Sequence, residues 1–278
     1  MTAQRIAAFS QGDEGGNPAG VVIGASLPDV ADMQKVARDI GYSETVFAAP
    51  EGDHWVTRYY SPEAEVAFCG HATIALGVAL GEKYQPGTFD LSLAQGRISV
   101  SANKTAQGWT AELKSPETWS KPLPSDLLAQ IKQLFNLRDD QLDPRLPATL
   151  AFAGNQHAVI AVRNRADLAE MAYNFEAGRA LMLAQDLTTV SLLHIVSDGE
   201  FISRNAFAIG GVVEDPATGA AAAALGGALV DLGWPGVRDG GQFTIRQGED
   251  MGQPSVLTVK VSGKSGDSVR VSGAARKI

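Results

Sequence analysis

From Pro216 to Val230 the chain carries no charged residue, and most of that run is Ala, Leu or Gly. It predicts a helix that is apolar on every side, and such a helix has to be enclosed by protein. Asp215 suits the N-cap and Pro216 the first helical position, where a missing N–H would be orphaned anyway. The free N–H groups of the first turn, with the helix dipole, form an anion site, and Gly219 adds no side chain there. A plain buried helix with a good cap explains the run equally well when it is read alone.

A second copy alters the balance. Phe68-Cys-Gly-His-Ala-Thr-Ile-Ala-Leu-Gly-Val-Ala-Leu-Gly81 again has a polar, Gly-containing start followed by small apolar residues. Cys69-Gly70-His71 aligns with Thr218-Gly219-Ala220. Upstream, Gly16-Asn-Pro-Ala-Gly-Val-Val-Ile23 reads like Gly154-Asn-Gln-His-Ala-Val-Ile-Ala161. One unit is used twice, which implies duplicated domains rather than a solenoid.

Around the two enclosed helices the chain reads as short strands separated by Gly- and Pro-containing turns. Strands are predicted at 5–9, 19–23, 42–47, 55–60, 89–93, 97–101 and 109–113, then within 149–162 and at 189–196, 201–207, 242–247, 255–261 and 268–271. Amphipathic or capped helices are predicted at 29–40, 125–135 (capped by Ser125), 165–176 and 178–185. The expected fold is α+β: two pseudo-symmetric domains, each a curled antiparallel β-sheet or barrel around a central helix. The domains are placed at 1–116 and 125–265, with Ser115–Pro124 as linker. No strand leads through Gly-x-Gly-x-x-Gly into a helix, which argues against a dinucleotide site.

Charge and cysteine content narrow the partners. A formal charge of −8 disfavours non-specific binding to nucleic acid or an anionic membrane. It leaves small acidic ligands open, because they meet only their own pocket. The single cysteine, Cys69, excludes an internal disulfide, and the four histidines show no metal-ligand spacing. Met1-Thr-Ala-Gln-Arg5 has no signal-peptide character and no apolar run suits a membrane span, so a cytoplasmic location is expected.

Five motifs, in order along nearly the whole chain, resemble the phenazine-biosynthesis PhzF-like family of the diaminopimelate epimerase-like fold. They are Gly16-Asn-Pro-Ala-Gly, Ser43-Glu-Thr-Val-Phe, Phe68-Cys-Gly-His-Ala-Thr, Glu214-Asp-Pro-Ala-Thr-Gly and Gln247-Gly-x-x-Met-Gly-x-Pro-Ser. The resemblance implies a cofactor-independent isomerase, commonly a homodimer, with its site in the cleft between the domains. It also implies that the C-terminal strand, about 266–278, returns to the first domain.

Racemases of this fold place a cysteine at each helix start. Here Cys69 holds the first position but Thr218 fills the second, and Thr is no proton acceptor near pH 7. The resemblance instead makes Glu44 the acid/base, with His71 orienting substrate or relaying a proton. Asp215 would accept a hydrogen bond from substrate. Gly70 and Gly219 would offer amides to a substrate carboxylate, with Ala220, Cys69, Thr218 and Asn17 beside them. From flanking residues alone Glu44 also reads as a solvated strand-edge carboxylate, Cys69 as a small buried residue, and Asn17 as a turn residue.

Two positions depart from the family pattern. Ala220 stands where the phenazine enzymes carry Ser, and Gln253 stands where Arg is usual. The expected function is therefore a proton or double-bond shift on a small carboxylate-bearing metabolite, not phenazine synthesis itself. The alternatives are an amino-acid epimerase using Glu44 and Cys69 as its two bases, and a binding protein without chemistry.

Overall fold

In the computed structural model, residues 3–94 and 96–278 are described; Met1, Thr2 and Gln95, and what the sequence predicts for them, lie outside this set. The first half comprises β1 (Gln4–Ala8), β2 (Asn17–Ile23), α1 (Val30–Ile40), β3 (Glu44–Glu51), β4 (His54–Tyr60), β5 (Glu65–Val66), α2 (Gly70–Tyr84), β6 (Gly87–Leu93), β7 (Gly96–Thr105) and β8 (Gly108–Lys114). The second comprises β9 (Trp119–Pro122), α3 (Ser125–Phe135), β10 (Thr149–Phe152), β11 (Gln156–Val162), α4 (Arg165–Ala169) and α5 (Phe175–Ala184). It continues through β12 (Thr189–Ser197), β13 (Glu200–Ala206), β14 (Glu214–Asp215), α6 (Gly219–Asp231), β15 (Gly241–Gln247), β16 (Ser255–Val261) and β17 (Arg270–Lys277).

Strands β1, β2, β3, β4, β6, β7, β8 and β17 pair in that order and β17 returns to β1, so the barrel is closed. Helix α2 threads it, and every residue from Gly70 to Gly81 is buried. Strands β9, β10, β11, β12, β13, β15 and β16 curl likewise around α6, which is buried from Gly219 to Leu229. Along these stretches neither helix has an exposed face, because the residues there are almost all small or apolar. The fold is the expected α+β, epimerase-like one.

Most pairs are antiparallel, but each half carries two parallel pairs: β2–β3 and β4–β6, then β11–β12 and β13–β15. Parallel neighbours need a crossover, and α2 and α6 are the crossovers of the second pair in each half. The duplication extends to backbone detail, since Gly16 and Gly154 both adopt left-handed φ, 84° and 93°. Strand β17 pairs with β16 at Arg270–Ser272, with β8 at Arg270–Ala275 and with β1 at Ala275–Lys277. It thereby ties the two halves together.

Local departures have local causes. Within 115–124, β9 forms because Trp119 stacks on Phe152, its cross-strand neighbour on β10, at 5.3 Å. The predicted helix over 165–176 stops at Ala169. A new helix begins at Phe175, where Asn174 Oδ1 accepts the Ala177 N–H at 2.9 Å. Ser125 is the first residue of α3 rather than its cap; Pro124 takes the N-cap place. No helix among the described residues is long and apolar enough to cross a membrane.

Candidate active site

The two enclosed helices meet tip to tip. A Cβ placed on Gly70 would lie 3.1 Å from both Gly219 Cα and Ala220 N, and one on Gly219 would lie 3.4 Å from Gly70 Cα. The first intrahelical bonds run from Thr73 N–H to Cys69 and from Ala222 N–H to Thr218. The amides before them at each tip have no helical partner. Two sets of donors, each at a positive dipole end, are thus brought to one place.

At this junction lies a cavity of about 40 Å³, lined by Glu44, Cys69, Gly70 and His71 from the first half and by His157, Thr189, Asp215, Thr218, Gly219 and Ala220 from the second. A groove of about 510 Å³ adjoins it, sharing Glu44, Phe68, Asn155, Thr188 and Phe207. Eight of the nine candidate residues line the cavity. The ninth, Asn17, stands behind Asp215 and donates from Nδ2 to Asp215 Oδ1 at 2.7 Å.

Glu44 opens β3, level with Ala19 on the parallel neighbour β2. The register turns its side chain inward, so it is 5% exposed rather than a solvated edge carboxylate. Its Oε2 lies 3.5 Å from His71 Nε2 and has no hydrogen-bond partner. His71 Nδ1 lies 3.3 Å from Cys69 Sγ. Burial pushes the Cys69 thiol well up, and the nearby Glu44 charge pushes it further.

Asp215 corrects the capping prediction. It belongs to β14, paired with Asn205, and α6 begins at Gly219 with Thr218 at the N-cap. Its carboxylate bonds neighbours other than the α6 amides: Oδ2 accepts from Thr218 Oγ1 at 2.5 Å, while Oδ1 accepts from Asn17 Nδ2. Its carbonyl accepts from Gln247 Nε2 at 2.7 Å. Burial raises Asp215 to about 6; His71 opposes the rise and the Glu44 charge adds to it.

Further positioning groups had no role assigned from the sequence, although Gln247 and Glu214 open two of its motifs. Gln247 Oε1 accepts the Thr218 N–H at 3.2 Å, so one amide side chain holds both Asp215 and the α6 tip. Arg204 forks onto buried Glu214, with Nη2 to Oε2 at 2.6 Å, and donates to the Ala169 carbonyl at 2.7 Å. His157 and Thr189 also line the cavity. The internal repeat held the signal for them, because it aligns His157 with Ala19, the register partner of Glu44. Of the two departures from the motif pattern, Ala220 faces the cavity and Gln253 does not line it.

Donor atoms of Glu44, Cys69 and His71 fall within 4.8 Å of one another, a spacing a metal ion could bridge. Without an ion, burial and the adjacent carboxylate disfavour the thiolate form that a metal would take as ligand.

A family model described as phenazine biosynthesis-like protein (PhzC-PhzF) matches residues 6–278. The uncharacterized isomerase YddE of Escherichia coli O157:H7 is 30% identical, over 97% of this chain and 94% of its own. Trans-2,3-dihydro-3-hydroxyanthranilate isomerase of Pseudomonas chlororaphis is 26% identical, over 96% and 92%. The crystal structure of a PhzF-family phenazine biosynthesis protein from Bacillus anthracis has the same fold, with a TM-score of 0.87 at 21% identity, covering 99% of this chain and 96% of that one.

Proposed function

The chain belongs to the phenazine biosynthesis-like (PhzC-PhzF) family and is an isomerase of it, and we propose that it moves a proton on a small carboxylate-bearing metabolite with Glu44 as sole acid/base. The observation that carries this reading is the unpartnered, buried Oε2 of Glu44, which lines the cavity at the helix junction. A carboxylate oxygen that makes no hydrogen bond within the protein keeps a lone pair for a substrate proton.

The free amides at Gly70 and Gly219 bind the substrate carboxylate, where the two helix dipoles favour negative charge. Glu44 removes a proton from one carbon and returns it to another on the same face. His71 Nε2, 3.5 Å away, orients the carboxylate. Asp215, shifted to about 6, is partly protonated near neutrality and can donate to or accept from a substrate polar group. No cofactor has a role in these steps, the chain acts in the cytoplasm, and it pairs as a homodimer.

Geometry favours a shift over inversion. Two bases that invert a carbon must flank it, each about 3 Å away, and so stand about 6 Å apart. Glu44 and Cys69 lie within 4.8 Å, both on the first half. Ala220 offers no hydroxyl where the phenazine enzymes carry Ser, which supports a substrate other than the one named for the Pseudomonas relative. The test is a metabolite screen by mass spectrometry in heavy water, comparing wild type with Glu44→Gln. Deuterium uptake that needs Glu44 identifies substrate and base together; uptake that survives E44Q removes Glu44 from the mechanism.

A further inference from the structure

Cys69 has no part in the mechanism above, yet the tip of α2 sets its sulfur among other donors. Its Sγ lies 3.3 Å from His71 Nδ1 and 4.0 Å from His71 Nε2. His71 Nε2 in turn lies 3.5 Å from Glu44 Oε2. With one donor atom from each, the three residues fall within 4.8 Å of one another. All three are buried. Glu44 Oε2 makes no hydrogen bond, and a buried carboxylate oxygen without a partner opposes folding.

A thiolate sulfur, an imidazole nitrogen and a carboxylate oxygen are the donor types that zinc takes, at about 2.0–2.3 Å each. Around a tetrahedral ion those bond lengths separate neighbouring donors by about 3.3–3.6 Å. The 3.5 Å between His71 nitrogen and Glu44 oxygen already fits, and the 4.0 Å between Cys69 sulfur and that nitrogen needs only a small closure. The cavity of about 40 Å³ that all three line has room for an ion and a water as fourth ligand. Thiolate and carboxylate together cancel the charge of a dication, so the buried complex is neutral. Magnesium and calcium are poor candidates, because they take oxygen ligands and two of these three donors are sulfur and nitrogen.

We propose that Glu44, Cys69 and His71 form a zinc site at the helix junction, with a water completing the tetrahedron. As the zinc–sulfur bond forms, the thiol proton passes to solvent and no electron changes hands. The charge of the ion favours the thiolate and so reverses the balance that keeps the free thiol protonated. Ligation also takes the Glu44 lone pair, so zinc binding and proton transfer exclude each other. That consequence alone rests on the isomerase reading; the ligation does not.

Zinc chloride titrated by calorimetry into the metal-free protein should bind saturably. Cys69→Ala and Glu44→Gln should each weaken zinc by about tenfold or more, the cost of losing even a partner that only supports a ligand. Cobalt(II) chloride reads the sulfur directly: wild type should gain a thiolate-to-cobalt charge-transfer band in the near ultraviolet, Cys69→Ala should not, and added zinc should erase it. In case the variants fail to fold, X-ray absorption on zinc-loaded wild type should show one sulfur at about 2.3 Å. No saturable zinc binding, unchanged zinc affinity in either variant, cobalt bound without the band, or a zinc shell without sulfur overturns the proposal. The last two results would place the ion elsewhere, as at His54 beside Glu51 and Asp53. Saturating zinc should also stop the Glu44-dependent isotope uptake, and uptake that persists overturns the exclusion. Absence of uptake in metal-free wild type counts against the isomerase reading instead and leaves the zinc site standing.

Discussion

Gly70 and Gly219, 149 positions apart by subtraction of their numbers, face one another so closely that a Cβ on the first would sit 3.1 Å from the Cα of the second. Gly70→Ala should destabilise the fold by about 1–3 kcal/mol, since backbone rather than a movable side chain is in the way. It should also weaken substrate binding by parting the two sets of amides. Urea denaturation and KM together measure both effects; an alanine tolerated with unchanged KM would show that the tips do not hold the substrate.

Glu44→Gln preserves shape and removes the titrating group. The turnover identified by the isotope screen should fall by about a hundred- to ten-thousand-fold. Ligand affinity should change little, because the carboxylate-binding amides are untouched. Single-turnover kinetics with a parallel binding measurement separates the two quantities.

Cys69→Ala should keep most of the activity. The thiol is held neutral by burial and by the Glu44 charge, so it is a poor base, and alkylation by iodoacetamide at pH 8 should be slow. Activity lost in the alanine variant, with loss of stereochemical inversion in the product, would favour an epimerase working through two bases.

Asp215 and His157 should give opposite pH slopes to stability. Folding raises Asp215 from 3.8 to about 6, so its contribution is full below pH 4 and is lost as pH rises through about 6, on the order of 3 kcal/mol in all. Folding lowers His157 from 6.5 to about 3, so its contribution is present above pH 6.5 and is lost as pH falls toward 3. Relative to wild type, Asp215→Asn should lose its disadvantage as pH rises from 4 to 7, and His157→Gln should gain an advantage as pH falls over the same range. Urea midpoints at four pH values would reveal both trends.

Arg204→Ala should cost about 3–5 kcal/mol, because it leaves the buried carboxylate of Glu214 unpaired. Glu214 adjoins Asp215 on β14, so kcat should fall with stability. Chemical denaturation and steady-state kinetics on the same preparation measure both. Unchanged kcat in a destabilised variant would separate the ion pair from the site.

The chain order carried the duplication, both enclosed helices and the motif positions, because these depend on local composition and on residues adjacent in sequence. A run such as Ala220–Leu229 admits no solvated face, whatever its neighbours. Other features depended on register. Asp215 looked like a helix cap until β14 paired with Asn205 and left Thr218 as the cap. The strand at Trp119 needed Phe152, the burial of Glu44 needed β2 beside β3, and His157 reached the cavity only because β11 lies level with β12. Side chains distant in sequence become neighbours only when strands close around the helices, and the energy that selects one alignment comes from packing and hydrogen bonds across that closure rather than from any segment alone.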